Sequence, residues 1–247
     1  MSSYLSSYSY KSSSGPVLNC NEDTVDINLV NNLFMIFDGF GGEGIGDQSV
    51  QYVKEKILDF YANSCSDPDA TLPYFYDPRY IVELNVLVNA IHHVHKEFIK
   101  DNLSRPINLR SGMSFIIGLL VDSLFMTVST GSCASFLRRN GKMVTTIRPE
   151  ALDDSVTEKN RDASTLFPSS AFGLYNKLQI NISELKVNLG DQILFCTDGV
   201  YAYQNLNEMN YILAKNNLTN NEKTQELIDL ANIRGNWDNQ SVILLNF

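Results

Sequence analysis

The stretch that most limits what this chain can become is LFMIFDGFGGEGIGDQ, Leu33 to Gln48. An unbroken apolar run, Leu33 to Phe37, stops at the carboxylate of Asp38, and glycines at 39, 41, 42, 44 and 46 follow. A run of that length reads as a strand buried on both faces. The aspartate at its end projects from a sheet edge, and glycine lets the next backbone come close to something. A phosphate, a metal ion and another strand all fit that description so far.

The whole chain narrows the choice. Its 247 residues are 44% apolar and 19% charged, which suits one domain over 1–247 with an ample core. A net charge of −9 argues against broad electrostatic attachment to nucleic acid or to an anionic membrane. Cys20, Cys65, Cys133 and Cys196 show no paired spacing and read as reduced thiols of a cytoplasmic protein. No apolar stretch is long enough for a bilayer, and the Ser/Tyr-rich start lacks the apolar segment of a secretory signal. Residues 1–14 read as an edge strand or a frayed tail.

Periodicity supplies the elements. DTVDINLVNNLFMIF predicts two strands joined at Asn31–Asn32. Val50, Val53, Ile57, Leu58 and Tyr61 share one face of a helix for which Asp47 is the expected N-cap. Leu84, Leu87, Val88, Ile91 and Phe98 form the stripe of a second helix. MSFIIGLLV, LFMTVST, ASFLRR and KMVTTI read as strands with turns at Asp122–Ser123, Gly131 and Asn140–Gly141, the last a strong hairpin signal. Beyond the polar segment 151–164 come LQINISELKV, ILFCT, short helices around Leu206–Ala214 and Glu222–Asn232, and a final strand SVILLNF. Helices in pairs between blocks of antiparallel-looking strands predict an α+β fold, stacked sheets with helices outside.

The glycines at 39, 41 and 44 spell G-x-G-x-x-G, a dinucleotide fingerprint in form. Asp38 would then lie beside a pyrophosphate with no cation, and the chain beyond the helix is a proline-rich loop rather than the second strand. Nucleotide binding is therefore disfavoured. Cys133 and Arg139 give C-x5-R, but ASFLR between them reads as a strand, not a phosphate cradle. His92, His93 and His95 read as part of a polar helix face. Asp38 has better company. Asp198 in TDG follows an apolar strand, Asp238 in WDN precedes the last strand, and Glu22–Asp23 in NED precede the first confident one. If those edges converge, the carboxylates repel unless hard divalent cations lie among them. Oxygen donors without imidazole or thiolate pairs favour Mg²⁺ or Mn²⁺ over zinc.

At this point the chain resembles the metal-dependent protein Ser/Thr phosphatases of the type 2C (PPM) family, the compact bacterial kind. The resemblance rests on NED at 21–23, FDGFGGEGIGDQS at 37–49, GKMVTTIRPE at 141–150, SSAFG at 169–173, GDQILFCTDGV at 190–200 and RGNWDNQSVILL at 234–245, in family order. It implies a four-layer α/β/β/α sandwich, two mainly antiparallel sheets flanked by helix pairs. It implies two Mg²⁺ or Mn²⁺ ions, with Asp38 bridging them and the Gly39 carbonyl as a further ligand. Asp198 and Asp238 complete the first ion's shell, and Glu22 and Asp23 serve the second directly or through water. The implied activity is hydrolysis of phosphoserine and phosphothreonine in phosphoprotein substrates by a metal-bridged water, in a monomer. Asp38, Asp198 and Asp238 are thereby the expected catalytic centre.

Three positions depart from the family. Leu18 stands where an Arg grips the substrate phosphate, GSCA (131–134) replaces G-D-S-R so that Ser132 leaves a third metal site doubtful, and Phe40 replaces a His of the eukaryotic members. Losing a charged hydrogen bond to phosphate costs about 1.5–3 kcal/mol, which slows catalysis without removing the metal ligands. The alternative is a pseudophosphatase, the same fold used as a binding or regulatory module. The segment 151–164 lies where the family carries a flap over its site.

Overall fold

In the computed structural model, residues 5–41, 45–67, 71–150 and 170–247 are described. Among these residues, ten strands form two five-stranded sheets. The first is ordered β1 (Ser7–Ser13), β10 (Gln240–Asn246), β9 (Gln192–Cys196), β6 (Ala134–Arg139) and β7 (Lys142–Ile147). The second is ordered β2 (Asp23–Asn28), β3 (Leu33–Phe40), β4 (Gly112–Val121), β5 (Leu124–Thr130) and β8 (Asn181–Lys186). Every neighbouring pair is antiparallel. Of the two expectations for the N-terminal residues, the edge strand is what forms: β1 pairs with β10 from Ser7↔Asn246 to Ser13↔Gln240.

Side-chain alternation along the strands builds three apolar layers. On β3, Phe34 and Ile36 turn between the sheets with Phe125, Phe195, Ile243 and Leu245. Leu33, Met35 and Phe37 turn the other way, onto α1 (Ile45–Ser66) and α2 (Val82–Ser104), where they meet Val53, Ile57, Leu87 and Ile91. On β10, Val242 and Leu244 face α3 (Asp198–Tyr201), α4 (Leu206–Ala214) and α5 (Asn220–Ile233) with Leu194, Val200, Met209 and Leu227. The result is the α/β/β/α sandwich expected from the resemblance. Strands covered on both faces explain why β3, β4 and β10 are continuous apolar runs instead of alternating ones.

The turns follow local chemistry. Asn32, Asp122 and Asn140 all take positive φ (52°, 52° and 51°), the region that Asn and Asp tolerate best among non-glycine residues. One boundary differs from expectation: α1 begins at Ile45, so Asp47 lies inside its first turn rather than capping it. A carboxylate there still favours the helix N-terminus through the dipole. The segment 151–164 falls outside the described residues.

Candidate metal centre

Pairing register brings the strand-end acids together. Asp23 opposes Asp38 directly across β2 and β3, and Asp38 opposes Ser114 on β4. In the other sheet Cys196 pairs with both Val242 and Ala134. That sets Asp198, at the start of α3, beside the segment leading into β10 and beside the Gly131–Cys133 turn. Asp238 ends its loop one residue before Asn239. Four segments distant in sequence thus meet at one end of the sandwich.

Glycines let these segments touch. A methyl on Gly199 would sit 1.9 Å from the Asn239 carbonyl oxygen, and one on Gly15 (φ +74°) would sit 2.2 Å from that of Asp238. The space above Gly39 is filled by the Glu22 carbonyl oxygen and Val50 Cγ2, each at 2.7 Å. Asn239 ties the loops together. Its Oδ1 accepts from the Glu22 N–H at 2.9 Å, and its Nδ2 donates to the carbonyls of Cys20 (2.9 Å) and Ser14 (3.1 Å).

Hydroxyls hold the acids. Ser132 Oγ donates to Asp38 Oδ2 at 3.0 Å and lies 3.0 Å from Ser114 Oγ, which also accepts the Ser132 N–H. Thr197 Oγ1 donates to Asp23 Oδ2 at 2.9 Å and accepts the Ser241 N–H at 2.9 Å. Tyr201 donates its hydroxyl to the Ser132 carbonyl at 2.6 Å, so α3 braces the same turn. Asp23 is buried, while Asp38, Asp198 and Asp238 each keep part of their surface open.

Enclosure and mutual repulsion make the cluster hard to ionise without a counter-cation. Burial first, and the neighbouring aspartates 198, 23 and 238 next, push Asp38 well above the ordinary carboxylate range. Asp23 moves the same way, chiefly through burial, with Thr197 and Ser241 opposing. Asp198 is raised to about 7 by burial and then by Asp238, and burial raises Asp238 itself. Every cause acting on these four groups is burial, another acid or a hydrogen bond; no basic side chain contributes.

Of the expected ligands, Asp23, Asp38, Asp198 and Asp238 are electrostatically one group. Glu22 precedes Asp23, and its Oε1 accepts the Gly46 N–H of α1 at 3.0 Å. Among the described residues, no three acid, histidine or cysteine side chains stand close enough to hold an ion as placed. The donor chemistry still fits a hard cation, because the acids supply only oxygen and lack any positive partner. Cys133 offers no thiolate there, since burial and then Asp38 drive its thiol further from ionisation.

The histidines belong elsewhere. His95 is buried rather than on a polar helix surface: its Nε2 lies 3.0 Å from the Tyr175 carbonyl, and its Nδ1 accepts the Gly173 N–H at 3.3 Å. Burial lowers its pKa, consistent with a neutral ring. His92 and His93 lie against Tyr74, Phe75 and Phe60. Leu18 is exposed in the loop before β2. Neither Ser132–Asp38 nor Thr197–Asp23 was legible beforehand, because each joins residues far apart in sequence.

No family model and no curated protein matches the chain by sequence. Solved structures do match by shape. A PPM Ser/Thr phosphatase, MsPP from Mycobacterium smegmatis, aligns over 99% of this chain and 100% of its own, with TM-score 0.78 at 16% identity. PppA, a regulatory component of the type VI secretion system in Pseudomonas aeruginosa, aligns over 98% of each chain, with TM-score 0.77 at 20% identity. The catalytic domain of the phosphatase PstP, in complex with two manganese ions, aligns over 97% of each chain, with TM-score 0.75 at 20% identity. The chain has the fold of the compact bacterial PPM Ser/Thr phosphatases.

Proposed function

We propose that this chain, with its PPM phosphatase fold, is a metal-dependent protein Ser/Thr phosphatase using two Mg²⁺ or Mn²⁺ ions. The observation that carries the reading is the group of four aspartates, from four separate strand ends, with no basic partner. Such a group is costly in a protein unless cations are its purpose. Asp38, Asp198 and Asp238 would hold the ions with the Gly39 carbonyl, and Glu22 and Asp23 would serve them directly or through water. Bound divalent ions supply a water of low pKa and neutralise charge on the phosphoryl group.

The chain's own side chains do the positioning. Ser132 fixes one oxygen of Asp38, leaving the other free. Thr197 orients Asp23, and Asn239 fixes the loops that carry Glu22 and Asp238. No covalent nucleophile is required, which agrees with burial pushing the Cys133 thiol away from ionisation. The reading takes residues 1–247 as one catalytic domain, a monomer acting on phosphoproteins in the cytoplasm. Among the described residues no helix is long and apolar enough to cross a membrane.

The exposed Leu18, where a phosphate-gripping Arg is expected, favours a second reading, a pseudophosphatase of the same fold. Hydrolysis of p-nitrophenyl phosphate and a phosphothreonine peptide, with Mn²⁺, Mg²⁺ or EDTA, separates the two. Turnover that needs the metal and disappears in Asp38→Asn/Asp198→Asn supports the enzyme. Inert wild-type protein whose melting temperature ignores Mn²⁺ supports the binding module.

A further inference from the structure

A groove of about 680 Å³ opens next to the aspartate cluster, between the ends of β6 and β7 and the start of α4. Its size lies within the roughly 300–1,000 Å³ of ligand-binding clefts. Its lining mixes apolar side chains, among them Phe136, Tyr201, Leu206 and Met209, with the amides of Gln204 and Asn205, and Arg148 lies just past β7. Tyr201 links the groove to the site: it belongs to the helix that opens with Asp198, and its hydroxyl donates to the carbonyl of Ser132, whose own hydroxyl donates to Asp38.

Arg148 is unusual among the described arginines. Arg79, Arg105, Arg139 and Arg234 pair with Asp77, Asp101, Asp191 and Glu208. Arg138 bonds Asn210 and Gln192, and Arg110 bonds the Leu103 and Arg105 carbonyls. Arg148 is exposed and, among the described residues, has no hydrogen-bond or ion-pair partner. An unpaired guanidinium beside a cleft of mixed lining is suited to a planar carboxylate, which it can grip with two parallel N–H bonds.

We infer that this groove holds the polypeptide flanking the phosphorylated residue of a protein substrate, and that Arg148 selects flanks carrying Asp or Glu. The inference rests on the phosphatase reading and deepens it by naming a substrate class. The apolar side chains and amides of the groove accept the body and backbone of the flanking chain, while Arg148 attracts an acidic side chain and repels a basic one. Phosphate recognition and flank recognition are then separate.

The test uses the full chain with Mn²⁺ and three phosphothreonine peptides whose flanks carry Glu, Ser or Lys. The quantity read is the ratio of kcat/KM for the Glu peptide to that for the Lys peptide, in wild type, Arg148→Ala and Arg148→Glu. The wild-type ratio is expected to exceed one, and charge reversal to lower it about tenfold, because reversing a charge in a partly open groove changes attraction into repulsion. Equal ratios in wild type and both variants overturn the inference. Activity of wild type on p-nitrophenyl phosphate tests the catalytic reading separately. If that activity is absent, anisotropy titration of the same labelled peptides decides. Binding of the Glu peptide that Arg148→Glu abolishes supports the groove, and equal binding of all three peptides overturns it.

Discussion

Asp198→Asn should weaken the metal-bound protein and strengthen the metal-free one. The Asp198 carboxyl is raised from 3.8 to about 7, with burial and Asp238 as its causes. At about 1.4 kcal/mol per pH unit, that difference is worth about 4 kcal/mol against the metal-free fold above pH 7. The sign follows from proton counting. Between pH 4 and 7 the folded state holds a proton that the unfolded state has lost, so stability falls as pH rises through that window. From pH 5 to pH 8 this group alone removes about 2–3 kcal/mol. Asparagine keeps an oxygen for the backbone N–H groups of residues 198 and 199 but never ionises. Urea unfolding in EDTA at pH 8 should therefore find Asp198→Asn more stable than wild type by about 2–4 kcal/mol, with a smaller gap at pH 5. Saturating Mn²⁺ should close or reverse the gap, since a ligand at a thousand times its Kd adds about 4 kcal/mol to wild type only. A metal-free wild type equally stable at pH 5 and pH 8, or a variant no more stable at pH 8, would refute the account of the cluster as an ion site held under repulsion.

Other perturbations probe the scaffold around the acids. Gly199→Ala forces a methyl against the Asn239 backbone, so Mn²⁺ titration by calorimetry should show affinity lower by at least about tenfold, and melting should report a loss of about 1–3 kcal/mol. Asn239→Ala leaves the Glu22 N–H and the Ser14 and Cys20 carbonyls without their partner, at an expected cost of about 2–3 kcal/mol and with faster proteolysis of the loop before β2; unchanged proteolysis would count against the tie. Arg139→Ala strands the buried Asp191 carboxylate, which otherwise receives two guanidinium bonds at 2.9 and 2.6 Å. Because Arg139 itself is partly exposed, the loss should be about 2–3 kcal/mol in urea, with the Mn²⁺ response intact.

Much of this was legible in the residues. The apolar runs ending at Asp38, Cys196 and Phe247 defined the strands most deeply enclosed, because a strand covered on both faces needs an apolar side chain at nearly every position. Asn31–Asn32, Asp122–Ser123 and Asn140–Gly141 marked their turns because positive φ is a local demand met by local chemistry. The four strand-end aspartates stood out for the same reason, each following or preceding such a run.

What the sequence by itself determined, then, was the order of the elements, their buried faces and the acids at their ends, since all three depend on neighbours within a few residues. Tertiary structure alone decided what those acids touch. Thr197 reaches Asp23 across 174 residues and Ser132 reaches Asp38 across 94, and no periodicity encodes either contact. Nor did spacing reveal that Glu22 turns to the start of α1, that His95 is buried against the 173–175 turn, or that Arg148 alone among the described arginines faces a groove unpaired. Local propensity acts along the chain, whereas side-chain partnership and burial of charge are set by the packing of segments that meet only once both sheets have closed on each other.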